Sequence, residues 1–245
     1  MALSLSITGF GKEPRDAIAE AAGIFAPLGE PRLQLDATMA GIRPRELDRS
    51  GRRDLAALLR RSGVFCSGLD VLIPGAHFSD SAQADRALSA AVGAVELLAE
   101  LGTLGAADSR VLCITLPEKP VAGVVEALSE AARDRAVLIA DLSAPGLNRA
   151  PIGPGLDCVR AIVAGADPVA AAAAGPLAVR LCDWDGTQRV APGARGGRLD
   201  LRALRGALSV SAPSAAVIVD VAGMRSPREA AMAGARAWRE AGVAA

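Results

Sequence analysis

The chain has 245 residues, 51% of them hydrophobic and 2% aromatic, with no tyrosine, so Ala, Leu and Val must fill the core of one large domain or two small ones. Lys+Arg and Asp+Glu balance at 27 each, beside a single histidine, which excludes a bulk attraction to nucleic acid or to an anionic membrane. A membrane span is excluded as well, because the alanine-rich stretch 161–181 is broken by Asp167, Pro168, Gly175, Pro176 and Arg180.

Taken in chain order, the N-terminal MALSLSITGFGKEPRD has no basic region ahead of its short apolar stretch, so no signal peptide is expected. Short apolar or alternating runs then recur, most followed by a longer amphipathic pattern. A strand over residues 3–8 leads to a helix over 17–28, and a strand over 32–37 to a helix over 46–62. A strand over 64–73 leads to the longest helix, 81–102, with Leu88, Val92, Val95 and Leu98 at helical spacing. Asp80 or Ser81 reads as its N-cap and Gly102 as its C-cap. A strand over 110–116 precedes a helix over 121–135, and strands over 137–142 and 155–159 follow. The second half closes with helix 167–174, strand 177–182, helix 200–208, strand 216–221 and helix 226–240. Asp167, Asp200 and Ser226 read as N-caps, with Pro227 suited to a first helical position.

Strand alternating with helix implies parallel strands joined by right-handed crossovers. Eight such strands favour closure into a (β/α)8 barrel, a single domain over 1–245, rather than an open sheet. Neither G-x-G-x-x-G nor G-x-x-x-x-G-K-[ST] follows any strand, which argues against a nucleotide-binding fold. Cys66, Cys113, Cys158 and Cys182 are far apart, form no C-x-x-C pair and fall in strand-like segments. They read as reduced, buried thiols, and the cytoplasm is the default compartment.

A barrel builds its site at the C-terminal ends of its strands. Those ends here carry Asp36 and then Arg43, His77, Glu118 with Lys119, Asp141, Asp157 with Arg160, Arg180 with Asp183 and Asp185, and Asp220. So many carboxylates need protons, arginines or a cation to offset their repulsion. Each residue also has a plainer reading. His77 in PGAHFSD is a substrate contact or a solvated cap, and Glu118 and Lys119 in LPEKP reach the ligand or line the rim. Arg43 binds an anionic group or is solvated, and Trp184 stacks on a sugar ring or packs on its loop. The basic run RSGRRDLAALLRR has no interleaved aromatics and reads as a solvated helix face, so no nucleic-acid partner is expected.

The segments GPGLDCVRAIVAGADPVAA, LAVRLCDWDG, APGARGGRLDLRALRGAL and AVIVDVAG, with LQLDATMAGIRPRELDRSGRRDLAALLRRSGVFCSGLDV before them, give the chain its likeness. Together they resemble the xylose-isomerase-like barrels of the sugar phosphate isomerase and epimerase superfamily. The resemblance covers nearly the whole chain and specifies fold better than substrate. It implies a site for a small sugar or polyol and, in the epimerase-like members, one divalent metal (Mn2+ or Mg2+). That metal is held by a Glu, an Asp, a His and a Glu on strands five to eight. The matching positions here are Asp141, Asp157, Arg180 and Asp220, and only Asp157 keeps the family's residue type. The family's Asp-x-x-His on strand six becomes Asp157 with Arg160, so arginines stand at both histidine positions. Related apurinic endonucleases, which need many histidines, are excluded by the single one present.

Three arrangements follow from the resemblance. In a metal-free isomerase or epimerase, Asp141 and Asp220 transfer the proton and Arg180 or Arg160 stabilises the oxyanion. In a three-carboxylate metal site, Asp141, Asp157 and Asp220 are the ligands. In a retired site, Asp141–Arg180 and Asp157–Arg160 are internal ion pairs. The function is therefore either an isomerase or epimerase, or a non-catalytic barrel binding an anionic metabolite or partner through Arg43, Arg160 and Arg180. Self-association into a homo-oligomer is left open.

Overall fold

Leucine- and valine-rich segments only four to eight residues long cannot bury both faces alone, and in this chain they pair in parallel around a ring. The computed structural model describes residues 3–11, 13–29, 31–143 and 148–242. The first seven strands are β1 (Leu3–Ser6), β2 (Arg32–Asp36), β3 (Phe65–Val71), β4 (Ala107–Ile114), β5 (Leu138–Asp141), β6 (Ile152–Asp157) and β7 (Ala178–Leu181). A two-stranded hairpin, β8 (Asp183–Trp184) with β9 (Arg189–Val190), precedes the last barrel strand, β10 (Ala216–Val219). The ring runs β1-β10-β7-β6-β5-β4-β3-β2 and is closed, as eight alternating units require.

Helices α1 (Pro14–Phe25), α2 (Arg49–Arg61), α3 (Ala84–Thr103), α4 (Val124–Asp134), α5 (Cys158–Val163), α6 (Pro168–Ala172), α7 (Leu201–Ser211) and α8 (Pro227–Glu240) surround it. Alanines on their inner faces, among them Ala17, Ala21, Ala91, Ala94, Ala231 and Ala235, are fully buried, which lets the helices approach the sheet closely. No helix among the described residues is long and apolar enough to cross a membrane. All four cysteines are free and buried.

Five details differ from the pattern read along the chain. The sixth strand lies at 152–157 rather than 155–159, because the Asp157 carboxylate accepts from the Arg160 amide and starts α5 there, a helix the sequence reading missed. The helix expected to end at Gly102 continues to Thr103, and the left-handed residue beyond it is Gly105, at φ +68°. Asp80 organises the turn before α3 through Ala82 and Gln83 without capping the helix itself. Ser226 precedes α8 but its hydroxyl makes no capping bond, whereas Asp167 and Asp200 cap as expected. The hairpin after β7 had no counterpart in the sequence reading.

Alternation around the ring sorts the strand residues into two sets. Val111, Cys113, Ala140, Leu142, Ala178 and Ile218 pack together inside the barrel, while Leu33, Leu35, Leu69 and Ile139 pack outward against helices. The β3 register shifts between Cys66 and Gly68, a bulge that resets the alternation and turns Asp70 inward. Gly68 is the residue that allows this, since a Cβ there would lie 2.2 Å from the Val111 carbonyl oxygen.

Candidate functional site

Polar groups on the inner set meet at the C-terminal mouth. Arg180, on β7, is buried and donates from Nη2 to Asp70 Oδ2 at 2.8 Å. Asp70 belongs to β3, four strands away in either direction round the ring, so this bond crosses the full width of the barrel. The Arg180 Nε lies 3.7 Å from Asp220 Oδ2, just after β10, and makes no hydrogen bond. Arg189, carried back over the mouth by β9, donates to the same Asp220 oxygen at 2.6 Å and to the Cys182 sulfur at 3.3 Å. Asp70, Arg180, Asp220 and Arg189 thus form a continuous chain of alternating charge.

Burial governs how these groups ionise. Asp70 is fully buried, and loss of water pushes its carboxyl up to about 6; Arg180 pulls against that shift, while Asp220 and Asp36 add to it. Its remaining contacts, from Ser6 Oγ and Gln34 Nε2, are both long at 3.4 Å. For Asp220 the balance reverses: burial would raise it, but Arg180 and Arg189 outweigh burial and hold it below the usual carboxylate range. Burial also pushes the Cys182 thiol up to about 11 despite Arg189, so it stays protonated at neutral pH.

A cleft of about 260 Å³ opens above this chain, between the ends of β3, β4 and β6. Its polar side chains are Asp157, Arg160, Arg180 and Thr115, and Leu72 and Leu142 supply apolar wall. Arg160 is exposed there, and among the described residues its guanidinium bonds the Leu142 carbonyl at 3.4 Å. Asp157 stands beside Arg180 in the β6–β7 register. Hydroxyl-bearing ligands suit such a lining, which offers one carboxylate acceptor and two guanidinium donors.

The other residues singled out along the sequence are placed differently. Asp141 is not among the described residues that line the cleft with Arg180. Since Ala140 and Leu142 face inward, Asp141 faces the neighbouring loop, accepting from the amides of Leu116 and Ser143 at 3.1 and 3.0 Å and from the Ser143 hydroxyl at 2.8 Å. The ion pairs expected for a retired site, Asp141–Arg180 and Asp157–Arg160, are therefore replaced: Arg180 pairs with Asp70 and Asp220, and Asp157 takes the backbone amide of Arg160. Arg43 is tied locally, to the Thr38 carbonyl and to Glu46, and does not line the cleft. His77 is half-buried in a 3-10 turn (Gly75–Phe78), and Glu118 and Lys119 are exposed on the rim; none of the three lines the cleft.

Asp183 is buried and gathers the loop after β9: its Oδ1 accepts from the amides of Trp184, Arg198 and Leu199 at 2.7, 2.8 and 3.0 Å. Trp184 is half-buried opposite Arg189 in the hairpin. Asp70 and Arg189 were missed by the sequence reading. A carboxylate inside the otherwise apolar run SGLDV was the available signal for Asp70, and Arg189 gave none.

A divalent cation does not fit this donor set. Among the described residues no group of three or more His, Cys, Asp and Glu side chains could hold a metal ion. Asp141 is turned out of the mouth, Asp220 is taken by two guanidiniums, and Asp157 sits next to the fixed charge of Arg180.

No protein-family model and no curated protein matches this chain. Solved structures do. A xylose isomerase domain protein from Planctomyces limnophilus superposes with a TM-score of 0.70 at 13% identity, over 98% of this chain and 95% of its own. A D-tagatose 3-epimerase-like protein gives 0.72 at 12% identity, over 98% of both chains. The 3-keto-D-glucoside 4-epimerase from E. coli gives 0.65 at 13% identity, over 98% of this chain and 99% of that one. At these identities the likeness is one of fold: the chain has the fold of the xylose-isomerase-like barrels, as its sequence pattern implied, and its chemistry rests on its own residues.

Proposed function

We propose that this barrel binds a small sugar or polyol in the mouth cleft without a divalent metal, with Arg180 filling the charge role of a cation. The observation that carries this reading is the seating of the Arg180 guanidinium between Asp70 and Asp220 while it also lines the cleft. An uncharged, hydroxyl-rich ligand agrees with a charge chain already balanced by two carboxylates and two guanidiniums. The sugar-modifying enzymes that share the fold support the same ligand class by analogy alone. The buried, unpaired thiols agree with a cytoplasmic setting.

Isomerase or epimerase chemistry is a second reading, favoured by one observation: Asp157 and Arg180 are register partners on β6 and β7 and both line the cleft. In aldose–ketose isomerisation, the Asp157 carboxylate would take a proton from the carbon beside the substrate carbonyl, and Arg180 would stabilise the enediolate while the hydroxyl proton passes between its two oxygens. The Asp157 acid would then return its proton to the adjacent, former carbonyl carbon. Asp141 and Asp220, the pair first expected to do this, are committed elsewhere.

Saturation-transfer NMR on chelator-treated protein against a panel of pentoses, hexoses and alditols tests the binding reading. Signals for at least one of them, lost in Asp157→Asn or Arg160→Ala, are expected; a silent panel, or binding that appears only with added Mn2+, contradicts it. Solvent deuterium exchange into whichever ketose binds, present in wild type and absent in Asp157→Asn, separates catalysis from binding alone.

A further inference from the structure

Asp70 is absent from the cleft lining, yet the charge that Arg180 shows there depends on it. The groups packed around it are Ser6 from β1, Gln34 and Asp36 from β2, Cys113 from β4, Arg180 from β7 and Asp220 after β10. Of these, Arg180 is the only cation, and its 2.8 Å bond is shorter than the 3.4 Å bonds from Ser6 and Gln34. The chain Asp70–Arg180–Asp220–Arg189 carries no net charge with both carboxylates ionised and one positive charge when Asp70 is neutral. Arg180 shows one edge to Asp70 and also reaches the cleft, where the exposed Arg160 offers a second guanidinium. Two arginines and one aspartate would make a serviceable anion site were Arg180 not already neutralised.

We propose that Asp70 is the specificity-determining residue of the mouth: by holding Arg180 across the barrel and cancelling its charge, it keeps the cleft unfavourable to anionic ligands. Asp70 acts through Arg180 and is a positioning residue, touching no ligand itself. The proposal rests on the mouth being the ligand site, as argued above, and it names the charge class that the site rejects.

Sulfate is the probe, since its charge is constant between pH 5 and 8. Calorimetric titration at pH 7.5 and fixed ionic strength is expected to give at least about tenfold tighter sulfate binding in Asp70→Asn than in wild type. That gain is expected to vanish when Arg180→Gln is added. Equal affinities in wild type and D70N, or a gain that survives R180Q, overturn the proposal. In a His77→Gln background, which removes the one histidine, the affinity is also expected to rise as pH falls through about 6, where Asp70 takes up a proton, and to stay flat in D70N. If D70N does not fold, that pH series carries the test alone, and a flat profile overturns the assignment. A sulfate response of the expected form beside a silent polyol panel keeps the role of Asp70 and removes the polyol reading.

Discussion

Arg180 and Asp70 sit on strands at opposite sides of the ring and are joined at 2.8 Å, both almost completely shielded from solvent. A bond across the full width of a barrel closes its mouth from within. Asp220 and Arg189 extend it, so that four side chains from β3, β7, β9 and the end of β10 share one electrostatic unit.

Removing the cation should be costly. Arg180→Met leaves Asp70 buried without its cation and Asp220 with Arg189 alone, and a loss of about 3–5 kcal/mol in denaturant-derived stability at pH 7.5 is expected. Adding Asp70→Asn to that variant is expected to recover part of the loss, because one uncompensated carboxylate disappears. A purely additive double mutant would show that the two side chains are energetically independent.

Stability should depend on pH through Asp70. Its carboxyl is raised to about 6 in the folded protein and lies near 3.9 in an unfolded chain. Between those values the folded state holds the extra proton. This contribution is therefore complete below pH 4 and is lost as pH rises through 6, amounting to at most about 3 kcal/mol. Denaturation midpoints between pH 4.5 and 7.5 are expected to show this falling component in wild type and to lack it in D70N.

Asp141 and Asp157 are expected to separate cleanly. Asp141→Ala strips partners from two backbone amides and should lower stability by about 2 kcal/mol while leaving sugar or polyol binding in place. Asp157→Asn should do the reverse, abolishing binding at little cost in stability. Loss of binding in Asp141→Ala at temperatures where it is fully folded would return Asp141 to the site.

The bulge that aims Asp70 inward should tolerate no side chain. In Gly68→Ala the new methyl would lie 2.2 Å from the Val111 carbonyl oxygen and 2.7 Å from Gln34 Oε1. A loss of about 3 kcal/mol or more is expected by denaturation, with the mouth disturbed along with β3.

How far the sequence carried the reader depended on whether a property was local or cooperative. Strand runs such as 216–221 and helices such as 226–240 were legible because burial imposes periods of two and 3.6 on the residues themselves. The arginines at 160 and 180 were legible as departures from a familiar pattern. Side-chain direction was not. Asp141 and Leu142 differ by one position, and a one-residue change of phase decides which enters the barrel. The β3 bulge shifted that phase again and hid Asp70. Arg189 depended on a hairpin of two-residue strands, too short to leave a pattern in the sequence.

The claim that guanidinium has taken over the charge role of a metal at this mouth is tested most directly by diffraction. A crystal of the wild-type protein soaked in Mn2+ and measured above the manganese absorption edge should show no anomalous peak among Asp157, Arg180 and Asp220. A full-occupancy peak there, with Arg180 swung away from Asp70, would contradict the account.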